Sequence, residues 1–389
     1  MSLRYEGIGK ATFQDGSKVE GAFTINIEPN GKAYLQLISE SALTPLILSL
    51  PHEEISFQGE EIGTKGLVDI QKMYLTQIHI SGVRSLLFVI FQPFAINYHE
   101  IDEHDKITLF RYLSNFIFHG DEVSNYEREW RSDKISINLE GKKITIKQVS
   151  NFKNIEDYFR MEKNPRVTCS LELQGENREI ELLRELANDV ENIVSFGSCN
   201  YVTLLKEEIF LEDILCKAIF YPMKTYPFNS GKPLINTNIH DIGRFKNFII
   251  TVYPQYKAKK RDLALPYVIE FFNSGKIYNI LQTSFLMNCV ALECLYHHYH
   301  QFKGLAKTEN LAKKIEQICN DVGISYDQND LKLRKLRNSL THEGDFPKGI
   351  NSIQEKNRLE NLLDRMILTI LGYGGNIYYN VFKNKEDTL

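Results

Sequence analysis

Arg337, Asn338 and His342 place a cation, an amide and an imidazole within two turns of one helical stretch. Histidine is the side chain whose ordinary pKa lies nearest neutrality, so His342 suits either taking or giving a proton. A permanently charged guanidinium presents a fork of donors, so Arg337 suits the negative charge that builds on phosphoryl oxygens. Asn338 can orient an imidazole or donate to a phosphate. At about 100° per residue, Asn338 and His342 share a face, with Arg334 and Lys335 close to it. Leu333, Leu336 and Leu340 form the opposite, core-facing stripe. Arg337 lies about 140° from His342 on an ideal helix. The two can meet through the long Arg arm, a kink near Thr341 and Gly344, or a partner subunit. The plainer reading of the same residues is a capped, solvated basic helix end.

Upstream, Cys289, Glu293 and His297 recur every four residues along an otherwise apolar stretch. A buried carboxylate is costly unless paired, so this stripe is expected to face something polar. It reads either as a second wall of an active cleft, with Glu293 orienting Arg337 or His342, or as a structural pair inside a helical bundle. His297, His298 and His300 have no Asp or Cys framework of ligand spacing around them, so no metal site is expected. Lys257, Lys259, Lys260 and Arg261 form a short basic run that reads more simply as a solvated loop than as a phosphate-binding patch.

Arg337-Asn338-x-x-x-His342 resembles the R-x4–6-H motif of HEPN domains, in the form that carries Asn after the Arg. No other Arg in the chain stands five to seven residues before a His. The apolar stretch with Ala291-Leu292-Glu293, together with a β-rich region ahead of the helices, is similar to the ApeA-like branch of that family. The resemblance implies a small α-helical bundle and a metal-independent endoribonuclease without a cofactor. RNA supplies its own nucleophile, the 2′-OH. The implied catalytic set is Arg337, Asn338 and His342, supported by Glu293, Arg334 and His297, with Lys332 and Lys335 contacting RNA. The implied product is a 2′,3′-cyclic phosphate. The implied setting is phage defence or toxin-like translation shutdown through RNA such as tRNA, by a homodimer. A phage-derived trigger or regulatory partner would act at the N-terminal region. The alternative is a catalytically inactive HEPN module that dimerises and binds RNA or protein, with a ligand-sensing β domain.

The elements that must position these residues fall into an α+β order. Residues 1–175 read as a β-rich domain, either a sandwich or an open barrel. Phe23, Ile25 and Ile27 alternate with Ala22, Thr24 and Asn26, and Asn30-Gly31 and Glu140-Gly141 are turn signals. Residues 176–240 are a mixed connecting region. It holds one amphipathic helix on Leu182, Leu183, Leu186, Val190, Ile193 and Val194, then the breakers Pro222, Pro227, Gly231 and Pro233. Residues 241–382 read as the helical domain. Thr308 is the expected cap of one helix and Gly323 its stop, and Ser352-Ile353-Gln354-Glu355 reads as a capping box.

Composition sets the outer limits. The 389 residues are 43% hydrophobic and 25% charged, as in ordinary globular domains, and 23 Phe with 20 Tyr exclude wholesale disorder. A formal net charge of −4 excludes a globally basic nucleic-acid coat. No apolar run is long enough to cross a membrane, and the first residues lack the apolar stretch of a secretory leader. The six cysteines form no C-x-x-C pair. A cytoplasmic protein that contacts no membrane is expected.

Overall fold

The computed structural model describes residues 3–28, 31–39, 54–81, 83–118, 120–126, 129–148, 167–222, 226, 228, 233–235, 243–278, 280–327, 330–374, 377–380 and 385–388. Asn30, Pro227 and Gly231, named above as turn or breaker residues, lie outside the described residues. In chain order the strands begin with β1 (Leu3–Thr12), β2 (Lys18–Ile27), β3 (Ala33–Ser39), β4 (Glu54–Glu61), β5 (Leu67–Ser81) and β6 (Val83–Ile90). They continue with β7 (Phe94–Asn97), β8 (Lys106–Ser114), β9 (Glu122–Tyr126), β10 (Glu129–Leu139), β11 (Lys142–Gln148) and β12 (Val167–Glu176). Helix α1 (Ile180–Ser198) and the hairpin β13 (Thr203–Leu211) and β14 (Ile214–Phe220) follow. The remaining helices are α2 (Arg244–Lys259), α3 (Leu265–Ile277), α4 (Leu281–Lys303), α5 (Leu311–Val322), α6 (Leu333–Glu343) and α7 (Ser352–Ile370). A last hairpin pairs β15 (Ile377–Asn380) with β16 (Lys385–Thr388). No helix among the described residues is long and apolar enough to cross a membrane.

The chain divides into two compact units, and neither is contiguous. The first holds residues 1–115, 140–184 and 203–227; the second holds 116–139, 185–202 and 228–389. The hairpin β13–β14 returns to pair with β8 and β7, which draws residues 203–227 into the β-rich unit. Helix α7 ends at Ile370, Gly372 follows it with φ of 72°, and residues 377–380 are a strand.

In the first unit, β1, β2, β3, β6, β5 and β4 pair antiparallel in that order, and β4 pairs back onto β1. The ladder closes into a ring, where an open barrel was one of the two expectations. The alternation of β2 fits this, with Phe23, Ile25 and Ile27 buried. Phe23 and Phe57 meet edge to face inside the ring, with centroids 5.0 Å apart. Glycines make room for them: a Cβ on Gly9 would stand 2.3 Å from the Phe57 ring, and one on Gly7 2.5 Å from Phe23. From β5 the sheet runs on through β7, β14, β13, β8, β12 and β11. Glu140 and Gly141 precede β11 with φ of 53° and 75°, the left-handed pair a tight hairpin turn requires. Glu207 in β13 is fully buried, and both its oxygens are met: Arg111 Nε donates at 3.0 Å and Arg184 Nε at 2.9 Å.

In the second unit, α4 packs against α3, α5, α6 and α7. Its buried side holds Phe285, Leu292, Leu295 and Tyr299. The α7 stripe of Leu359, Leu362, Leu363, Met366 and Ile367 is buried as its spacing predicts. The caps lie one or two residues from their expected places. Asn310, not Thr308, caps α5 by accepting from the Ala312 N–H at 3.0 Å, and Thr308 Oγ instead accepts from the Asn310 N–H. Asn351, not Ser352, caps α7 by accepting from the Gln354 N–H at 3.1 Å. An Asn side chain satisfies an orphan first-turn donor at least as well as a hydroxyl, so it wins where both are available.

An ion pair lies inside these helices. Lys276 at the end of α3 places Nζ 3.2 Å from Asp364 Oδ1 on α7 and over the Phe272 ring. Burial alone would push the ammonium down, but Asp364, Cys199 and Glu360 together outweigh it and hold Lys276 above its ordinary value. Burial pushes the Asp364 carboxyl up to about 6, against the pull of Lys276. Removing one partner of such a pair leaves a bare buried charge. Lys276→Met should destabilise the protein by about 3–5 kcal/mol in urea unfolding, and Lys276→Met with Asp364→Leu should recover most of that loss.

Candidate functional site

Helix α6 opens from a short 3-10 turn, Asp330–Lys332, and ends at Gly344, whose φ of 77° closes it. Leu333, Leu336, Ser339 and Leu340 are its buried residues. Arg337 and Asn338 are half-buried at the edge of that face, while Lys332, Arg334, Lys335 and His342 are exposed. The motif thus occupies the part of α6 that the core leaves free.

Arg337 is held from two sides. Its Nη2 lies 3.1 Å from Glu293 Oε1 and donates to Oε2 at 3.3 Å; its Nη1 donates to Asn338 Oδ1 at 3.3 Å. Glu293 and Arg337 come together across 44 residues of sequence. Thr341 Oγ donates back to the Arg337 carbonyl at 2.8 Å, a contact that tends to bend a helix. Arg337 makes no contact with His342 within the chain. His342 itself forms no hydrogen bond or ion pair among the described residues.

The remaining predicted residues separate. Cys289 is buried a turn before Glu293; burial pushes its thiol up, Glu293 adds to this and Arg337 opposes it. His297 is exposed, with its ring 5.0 Å from that of His298. His298 is held below its ordinary value by burial and by the neighbouring His297 and His300. His300 is buried, with Nδ1 3.1 Å from the Tyr296 carbonyl. Among the described residues no group of His, Cys, Asp and Glu could hold a metal ion. The basic run closes α2 instead of forming a loop. Lys259 Nζ donates to the Ile370 carbonyl at 2.6 Å, capping α7. Lys260 Nζ sits 2.7 Å from Asp189 and 2.9 Å from Glu185. Asp189, Lys260, Arg261, Tyr267 and His298 line an open cavity of about 710 Å³.

The sequence reading missed the polar contacts of Ser339. Its Oγ lies 3.0 Å from both Glu343 Oε2 and the Asp345 carbonyl. The available signal was the i, i+4 spacing of Ser339, inside the motif, and Glu343 just after it. Comparison with protein-family models, with curated proteins and with solved structures finds no match.

The Glu293–Arg337 pair is wet: the side chains are 31% and 38% exposed, so water screens it. Glu293→Gln should change unfolding stability by no more than about 1 kcal/mol. Urea melts at low and high salt check this, and the variant should lose part of the salt dependence of the wild type.

Proposed function

We propose that the chain is a HEPN-type, metal-independent endoribonuclease whose catalytic residues are Arg337, Asn338 and His342. The observation that carries the reading is a half-buried guanidinium fixed by Glu293 and Asn338 on the helix that also carries an exposed imidazole with no hydrogen bond or ion pair among the described residues. An imidazole with no internal partner is free to exchange a proton with a substrate. A guanidinium anchored by a carboxylate keeps further donors for phosphoryl oxygens.

In this scheme one imidazole takes the 2′-OH proton, and the 2′-oxygen forms a bond to the adjacent phosphorus. The bond from phosphorus to the 5′-oxygen breaks, and an acid delivers a proton to that oxygen. The products are a 2′,3′-cyclic phosphate and a 5′-OH. Arg337 stabilises the charge on the pentavalent phosphorus centre. Exposed Lys332, Arg334 and Lys335 line the same helix and suit the RNA backbone.

One chain offers one such imidazole, and its Arg337 does not reach it. A homodimer supplies both an acid and a base, and lets Arg337 of one chain serve beside His342 of the other. The flank of α4 supports a second copy as the partner. Thr283, Met287, Val290, Cys294 and His297 follow a 4-3-4-3 spacing that is left partly or fully exposed. The separation of Arg337 from His342 equally favours a second reading, a HEPN module that binds RNA or protein without cutting it.

Arg337→Ala and His342→Ala should each lower cleavage of total RNA at least about 100-fold, with near-UV circular dichroism unchanged. Wild-type turnover with either variant removes the assignment, and a wild-type protein that binds RNA yet cuts none selects the second reading. Cleavage should persist in excess EDTA, and loss restored by Mg²⁺ would reject the side-chain mechanism. Light scattering should give twice the chain mass. A strict monomer that still cleaves at nanomolar concentration rejects the shared site.

A further inference from the structure

Among the described residues His342 has no side-chain partner to hold it, so its position follows the backbone turn that carries it. That turn is anchored on both sides. Before it, the buried Ser339 hydroxyl stands 3.0 Å from the Asp345 carbonyl, reaching past the Gly344 reversal. The ordinary closure, Gly344 N–H to the Leu340 carbonyl at 3.2 Å, is longer. After it, Asp345 Oδ1 accepts from the Phe346 N–H at 2.8 Å and from Gln282 Nε2 at 3.4 Å. The Phe346 ring then meets the fully buried Phe285 edge to face, with centroids 5.4 Å apart. Gln282 and Phe285 both belong to the first turns of α4.

The same helix holds Arg337 through Glu293. Eight residues separate Phe285 from Glu293 on α4, and eight separate Arg337 from Asp345 along and just past α6. The α4 interval spans about 12 Å of helix. The two segments run antiparallel, so one rigid helix spaces the cation from the turn that bears the imidazole. We infer that Ser339, acting with Phe346 on Phe285, is a positioning residue that sets His342 relative to Arg337. It touches neither substrate nor the reacting atoms. The Ser339 hydroxyl has one proton, shared between the Asp345 carbonyl and Glu343 Oε2 at equal distance. Glu343 therefore competes for the donor that closes the turn.

The inference rests on the ribonuclease reading, and the experiment keeps the two apart. Ser339→Ala and Phe346→Ala loosen the turn from opposite sides; Ser339→Thr keeps a hydroxyl. Amide hydrogen exchange at residues 341–346 is read beside steady-state cleavage of an RNA oligonucleotide. Both Ala variants should speed exchange in that window alone. Each should lower kcat about ten- to hundredfold while KM stays within about twofold, because misplacing a proton carrier costs the chemical step and not binding. Ser339→Thr should retain most of kcat. Faster exchange with unchanged kcat, or a change in KM alone, overturns the positioning role. Unchanged exchange overturns the anchoring itself. A wild-type chain that cuts no RNA sinks the ribonuclease reading and the positioning role with it, and the exchange data still decide whether Ser339 anchors the turn.

Discussion

Helix α4 is the constraint from which the helical unit follows. Its 23 residues are apolar around most of the circumference, and four other helices gather on it. Polar groups carried into that packing need partners, since an unmet buried donor or acceptor costs about 1–3 kcal/mol. Asn288 donates to Glu360 Oε1, the same oxygen that Lys356 pairs with. The Ser284 hydroxyl donates to the Gly275 carbonyl. Lys276 and Asp364 satisfy each other beneath Phe272. These contacts tie α3 and α7 to α4 and to each other.

The candidate site occupies what this packing leaves over. Once Leu333, Leu336 and Leu340 turn α6 inward, Arg337 and Asn338 fall on the edge of the buried face and His342 falls outside it. Glu293 sits at the matching edge of α4, where a carboxylate keeps some water and still reaches a guanidinium. A deeper Glu293 would cost more desolvation, and a fully exposed one would orient Arg337 less; the half-buried pair lies between these limits.

The β-rich unit solves a different problem. A strand edge is a row of unpaired backbone groups, and the closed six-stranded ring removes that edge for β1 to β6. Closure leaves limited interior space. Phe23 and Phe57 fill it only because Gly7, Gly9 and Gly59 bring no side chain to the same place. Beyond the ring, the buried Glu207 carboxylate depends on two guanidiniums, Arg111 and Arg184, from separate elements.

Much of this was open to a reader of the sequence, because faces are a local property. Two-residue alternation marks the buried side of β2, and 3.6-residue periodicity marks those of α6 and α7. The left-handed positions at Gly141, Gly323 and Gly344 follow from what glycine alone accepts cheaply. The motif residues were legible for the same reason: Arg337, Asn338 and His342 lie within one helix, clear of its Leu stripe. What the sequence did not determine is choice of partner. Nothing local says that β4 pairs with both β1 and β5, or that residues 203–227 return to β8. Nor does anything local join Glu293 to Arg337, or Lys276 to Asp364 across 88 residues. Thr308 and Ser352 were as eligible to cap as Asn310 and Asn351. Such contacts are selected by the free energy of the whole packed chain, where burial makes an unmet charge or donor costly. Only the tertiary structure decided them.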